Sequence, residues 1–281
     1  MDRHLRGIDH VLVAVRDLER AAERWQGLGF ALTPPGVHPR WGTANRCIML
    51  ENSYIELIGF TGEHPKRRPE LEAFLAEQGE GLCGLALTTD DAQATVEAWR
   101  RLGFSPEGPE ELSRTLPDGE PLAFATVPLP PAQCLGLWLF ACQHHTPQAL
   151  RRREWLQHPN GCRRLASVTL HADPPEEAEE LFERLLGTAT ESRTDTVTGF
   201  HLDRTSLLVM PTEDVQLLHP TARVEEGTAR PRLLALQLEA DDPERLRAAL
   251  GPRTSGLRTL AQGFALAPEE ASGAVLEFTW R

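Results

Sequence analysis

The residues best suited to chemistry in this chain are an imidazole and a carboxylate, each set among apolar neighbours: His10 in HVLVAV and Glu56 in YIELI. A lone histidine on an apolar strand ordinarily packs or hydrogen-bonds within a core. Glu56 is harder to account for, because a half-buried, unpaired carboxylate is costly unless a cation or hydrogen-bond donors meet it. Its simpler alternative is an edge-facing glutamate. Between the two lies GVHPRWGTANR, which gathers His38, Trp41, Gly42 and Asn45 in a stretch too polar for a core and too aromatic for a plain linker. Trp41 can stack on a planar ligand, Asn45 can hydrogen-bond one of its oxygens, and Gly42 allows close backbone approach. A lid of Trp41 over the core is the alternative. CLGLWLFACQHH ends in His144 and His145, either of which can be a ligand, an acid or base, or the polar end of a strand. No Gly-rich phosphate loop, nucleophile elbow or HExxH motif occurs.

The elements that must position these residues form an internal repeat. HVLVAVRDLERAAERWQGLGF, GLALTTDDAQATVEAWRRLGF, SVTLHADPPEEAEELFERLLG and LALQLEADDPERLRAALG each read as a short strand, an acidic turn and an amphipathic helix ending in Leu-Gly. In the first copy Ala21, Ala22, Trp25 and Leu28 form one apolar stripe, so the helix covers a sheet. Asp or Pro near each start suits a cap or first turn, and the closing Gly suits a left-handed residue. Runs at 47–50 and 54–58, separated by Asn52-Ser53, add a hairpin and make the unit βαββ. Such a unit leaves sheet edges open, so two units must join. The expected fold is α+β: four βαββ modules paired into two curved half-barrel sheets with helices outside. Segment 144–164, with its Pro, Asn-Gly and charge, breaks both periodicities, which divides the chain into domains at 1–150 and 160–281.

Of the 281 residues, 41% are apolar and 25% charged, as in globular proteins. Lys+Arg 29 against Asp+Glu 41 gives a net charge of −12, which disfavours nucleic acid and anionic membrane surfaces as partners. Five scattered cysteines without a CxxC pair fit neither a disulfide framework nor a zinc ribbon. With no apolar leader or membrane-length run, the expected location is the cytoplasm.

GIDHVLVAV, HPRWGTANR, YIELIGF and CQHHTP followed by HPNG resemble the vicinal oxygen chelate superfamily, and within it the glyoxalase-like domain family. The resemblance is strongest over about residues 5–165. It implies a divalent metal held by His10 and Glu56, with Glu56 also a base, binding adjacent substrate oxygens and stabilising an enolate-like charge. It further implies a third ligand or acid at His144, substrate contacts from His38, Trp41 and Asn45, and a small-molecule substrate. A homodimer is compatible with this reading.

Departures from the pattern lie in the paired module, where Gly84 stands at the second histidine position and leucines with Trp138 replace the second carboxylate. Ser167 replaces the third module's histidine, while Glu277 matches Glu56. Consecutive pairing of modules is preferred, because CQHHTP closes the first half; pairing of first with fourth would instead bring Glu277 to His10. The resemblance therefore implies a metal-assisted lyase, isomerase or hydrolase acting on a substrate with vicinal oxygens. A metal-free binding or drug-sequestering protein of the same fold is the alternative, favoured by Gly84 and Leu137.

Overall fold

A computed structural model of the chain describes residues 5–62, 68–187, 191–224 and 230–280, the side chains of residues 252, 254 and 255 excepted. The first unit comprises β1 (Leu5–Ala14), α1 (Leu18–Gln26), β2 (Gly36–His38), β3 (Thr43–Met49) and β4 (Tyr54–Phe60). Helix α2 (Pro69–Glu77) leads to the second, with β5 (Gly81–Thr89), α3 (Ala92–Arg101), β6 (Glu110–Thr115), β7 (Pro121–Pro128) and β8 (Trp138–His144). After the short α4 (Arg153–Leu156) come β9 (Cys162–His171), α5 (Glu176–Leu186), β10 (Glu191–Arg193), β11 (Thr198–Leu202) and β12 (Thr205–Met210). Helix α6 (Thr212–Leu218) precedes the last unit: β13 (Arg232–Ala240), α7 (Pro243–Leu250), β14 (Arg258–Leu260), β15 (Gly263–Leu266) and β16 (Val275–Thr279). Each unit thus carries one short strand beyond the three read from the sequence. In the first unit that strand, β2, lies inside GVHPRWGTANR, where no alternation announces it.

Local chemistry explains the elements. Asp17 caps α1 by accepting from the Arg20 backbone N–H at 3.0 Å, and Asp91 and Asp242 cap α3 and α7 in the same way. Ala21, Ala22 and Trp25 of α1 are buried. Gly29, after α1, has φ of 82°, and a Cβ there would lie 2.9 Å from the side chains of Ala249 and Asn160. A side chain at that position would be both strained and obstructed. The β3–β4 hairpin closes through a Leu50 N–H donating to the Ser53 carbonyl at 2.9 Å.

Consecutive units pair. One eight-stranded sheet has the order β2-β3-β4-β1-β5-β8-β7-β6, and the other β10-β11-β12-β9-β13-β16-β15-β14. Along β1, Val11 and Val13 face a large apolar cluster with Trp25 of α1 and Trp99 of α3, and this cluster runs on to Leu276 and Phe278 of the second sheet. The other face carries His10 and Leu12. Alternation, with period two along a strand, therefore assigns each first-sheet residue either to the shared core or to the curved open face.

A candidate active site on the first sheet

The open face holds a cavity of about 380 Å³, lined by six of the residues singled out above: His10, His38, Trp41, Asn45, Glu56 and His144. Parity explains their convergence. Leu12 and Glu56 are direct partners across β1 and β4, and Asn45 lies on the same face of β3 as Cys47, the partner of Glu56. On β8, Trp138, Phe140, Cys142 and His144 alternate onto the cavity side. His145 therefore points away, to Glu111 at 3.0 Å on the surface. Of the two histidines, His144 is the one that lines the cavity.

Strict alternation would send Asp9 to the opposite face from His10. The register instead jumps from Ile8↔Leu87 to His10↔Ala86, leaving Asp9 as an extra, unpaired residue of β1. This is a β-bulge, which re-aims side chains locally. Asp9 Oδ1 consequently meets His10 Nδ1 at 2.6 Å and His144 Nε2 at 3.1 Å. Burial works against the Asp9 carboxylate, but the charge of His144 and hydrogen bonds from both imidazoles hold it far below the usual carboxylate range.

Because Nδ1 of His10 is engaged by Asp9, its Nε2 is turned towards Glu56 Oε2, 3.4 Å away. The ring is clamped by stacking on Tyr54, with centroids 4.4 Å apart, and by the edge of Phe140 at 5.4 Å. Glu56 is held from behind: the Asn45 Nδ2 amide donates to Oε1 at 2.7 Å. His38 steadies this arrangement, with Nδ1 at 3.0 Å from Thr43 Oγ1 and Nε2 at 3.4 Å from Asn45 Nδ2. Burial pulls the His38 imidazole below its ordinary value despite Glu56. A neutral ring donating from Nδ1 satisfies both contacts. For His144, burial alone would lower the pKa, but the charge and hydrogen bond of Asp9 outweigh it and raise the group.

The pseudo-symmetric positions in the second unit are apolar. Gly84 pairs with Trp138 and Ala86 with Phe140, as His10 does with Tyr54 and Leu12 with Glu56, so Phe140 stands where the second carboxylate would be. A Cβ at Gly84 would lie 3.1 Å from the Trp138 carbonyl and 3.3 Å from Leu12 Cδ1, leaving little room for a ligand side chain. The residues still fit a divalent ion as a two-ligand centre. His10 Nε2 and Glu56 Oε2 are spaced like two ligands each about 2.1 Å from one ion, with Asp9 and Asn45 as the outer hydrogen-bonding partners that orient them. A second grouping, Asp9, Cys142 and His144, brings three ligand atoms within 4.8 Å of one another. Burial pushes the Cys142 thiol well up, which opposes the thiolate that metal binding needs.

Paired units of this topology, with a polar site on the curved face of a mixed sheet, define the vicinal oxygen chelate class. The model of the glyoxalase-like domain family matches residues 8–186, and the chain belongs to that family. Among solved structures, a hypothetical protein from Staphylococcus aureus aligns over 98% of this chain and 99% of its own, with a TM-score of 0.71 and 12% identity. That likeness is one of fold. Methylmalonyl-CoA epimerase from Mycobacterium tuberculosis covers 53% of this chain and 95% of its own, at 20% identity and a TM-score of 0.43. A variant of the Streptomyces coelicolor epimerase, in complex with 2-nitronate-propionyl-CoA, covers 50% and 99%, at 23% identity and a TM-score of 0.41. Comparison with curated proteins gives no match. Among the described residues, no helix is long and apolar enough to cross a membrane.

Proposed function

We propose that the chain is a small-molecule enzyme, a metal-assisted lyase or isomerase acting in the first-sheet cavity on a substrate with adjacent oxygens. The observation that carries this reading is the 3.4 Å gap between His10 Nε2 and Glu56 Oε2, each held from behind. A divalent ion held by this pair would neutralise charge developing on a substrate oxygen. Glu56 is the group placed to take a proton from the neighbouring carbon, and Asn45 keeps its Oε2 turned to the cavity. Asp9 fixes the tautomer and direction of His10. His144, whose pKa is raised by Asp9, is the proton donor. Tyr54 and Phe140 shield this end of the cavity from water. On this reading the site belongs to a domain at 1–150, the half at 160–281 is a scaffold, and the five free, buried cysteines accord with a reducing cytoplasm.

The test is calorimetric titration of chelator-dialysed protein with Mn²⁺ and Zn²⁺. One ion should bind per chain, and His10→Ala or Glu56→Ala should each weaken binding by more than about ten-fold. Undiminished binding in both variants contradicts the proposal. A metal-free binding protein is the second reading, favoured by Phe140 and Gly84 at the partner positions. It is supported instead if ligand affinity survives both substitutions and no turnover is found.

A further inference from the structure

Three arginines reach the same cavity, and their pairing differs. Arg40 is neutralised by Glu110. Arg114 and Arg68 form no ion pair among the described residues, whereas elsewhere Arg46 meets Glu19, Arg152 meets Asp118 and Glu120, and Arg163 meets Glu51. In a chain of net charge −12, two cavity guanidiniums without an ion-pair contact among the described residues require an explanation, although Glu70 and Glu56 act on Arg68 from farther off. Arg114 is half-buried, and its Nε is fully buried without a hydrogen-bond partner. The fold makes room for it: a Cβ at Gly36 would fall on the Arg114 guanidinium. Arg68 lies over the rings of Trp41, at 4.6 Å, and Trp138, at 5.1 Å, which fixes it in place while leaving its N–H edge available.

A second orphan stands beside Arg114. Asn45 is 5% exposed, and its Oδ1 has no donor, although its Nδ2 is committed to Glu56. That commitment fixes the orientation of the amide, so the vacant atom is an acceptor. A guanidinium lacking an anion next to a carbonyl oxygen lacking a donor matches a ligand bearing both groups close together.

We infer that the substrate of this cavity is a hydroxycarboxylic acid, its carboxylate held by Arg114 and Arg68 and its hydroxyl donating to Asn45 Oδ1. The inference rests on the first-sheet cavity being a small-molecule site, but not on metal or turnover. Both guanidiniums and Glu56 act electrostatically on His38, so the carboxylate site adjoins the proposed reacting end. The negative charges of Asp9 and Glu56 keep the anionic group at the arginines and out of the deeper part of the cavity.

The test is quenching of tryptophan fluorescence in chelator-treated protein by mandelate, with methyl mandelate, phenylacetate and phenyl phosphate as comparators. Mandelate should bind at least about ten-fold more tightly than its uncharged ester and several-fold more tightly than phenylacetate, which lacks the hydroxyl. Arg114→Met and Arg68→Met should each remove most of the preference for acid over ester, and Arg114→Lys should restore part of it. Added salt should weaken mandelate binding by the wild-type protein and leave the ester unaffected, a comparison that requires no folded variant. Because the protein is chelator-treated and binding alone is read, a failed enzyme proposal is distinguishable from a failed substrate assignment. Absence of mandelate binding, equal binding of acid and ester, tighter binding of phenyl phosphate, or preference unchanged in both methionine variants overturns the inference.

Discussion

The two sheets repeat the same scaffold and fill it differently. The strand registers make Asp9, Cys83, Ala166 and Leu234 equivalent, each the extra residue of a bulge on its unit's first strand. His10, Gly84, Ser167 and Ala235 are the residues that follow the bulge. Glu56, Phe140, Leu208 and Glu277 are equivalent on the fourth strands. Thus Glu56 and Glu277 are both buried carboxylates in corresponding frames, at 7% and 2% exposure, yet they meet opposite fates. Glu277 Oε1 is bonded to His219 Nδ1 at 2.8 Å, and His219 Nε2 lies 2.9 Å from Thr169 Oγ1. The imidazole follows α6 and occupies the centre of the second sheet's open face. In the first sheet α2 instead packs Leu71 and Leu75 against Leu12, Ala14 and Ile58, leaving Glu56 to a cavity. A carboxylate in this frame is therefore not a site by position alone. The segment after the fourth strand decides whether it gains an imidazole partner, as Glu277 does although it borders a hollow of its own, or faces a cavity with only an amide behind it.

The largest expected effect separates the two glutamates by turnover. Glu56→Gln should slow exchange of the substrate's carbon-bound proton on the order of 10²- to 10⁴-fold, while Glu277→Gln, which keeps a hydrogen bond to His219, should leave it within about two-fold. Deuterium incorporation followed by NMR with small hydroxy- and oxo-acids reads both. Glu277→Leu should instead lower folding stability by about 3 kcal/mol in urea unfolding, because it leaves a buried imidazole without its partner. Intact cavity binding should accompany that loss; an unchanged midpoint would remove the structural role assigned to the second carboxylate.

A smaller effect concerns the bulge. His144 is raised above its ordinary 6.5 because Asp9 outweighs burial, so the stability contributed by this interaction is complete below pH 6.5 and disappears as pH rises through the raised value. Asp9→Asn should drop the His144 midpoint below 6.5, since burial then acts unopposed. Its NMR titration measures the change, and a midpoint unmoved by the substitution would break the proposed coupling.

The repeat was legible because apolar alternation and acidic helix caps are local signals; consecutive pairing is read from CQHHTP closing the first half, and the six cavity residues from their polar or aromatic type together with the family resemblance. Asp9 was not, since alternation alone places it behind His10, and the bulge that turns it depends on pairing with β5. Arg68 and Arg114 were hidden among many arginines; Gly36, which admits Arg114, is separated from it by about one unit of the chain. Arg151–Arg153 reads as a solvated helix face, but α4 begins at Arg153. Arg152 instead pairs with Asp118 and Glu120, and Arg151 Nη1 donates to the Glu51 carbonyl at 2.7 Å. Long-range pairing of this kind leaves no periodic trace.

The central claim is that His10 and Glu56 jointly hold one ion in the first-sheet cavity. Imidazole ¹⁵N NMR during Zn²⁺ titration tests it most directly. The account predicts that His10 Nε2 acquires the shift of a metal-bound nitrogen, with at least about ten-fold weaker response in Glu56→Ala. Coordination at His144 with Cys142, or no response from any imidazole, would contradict it.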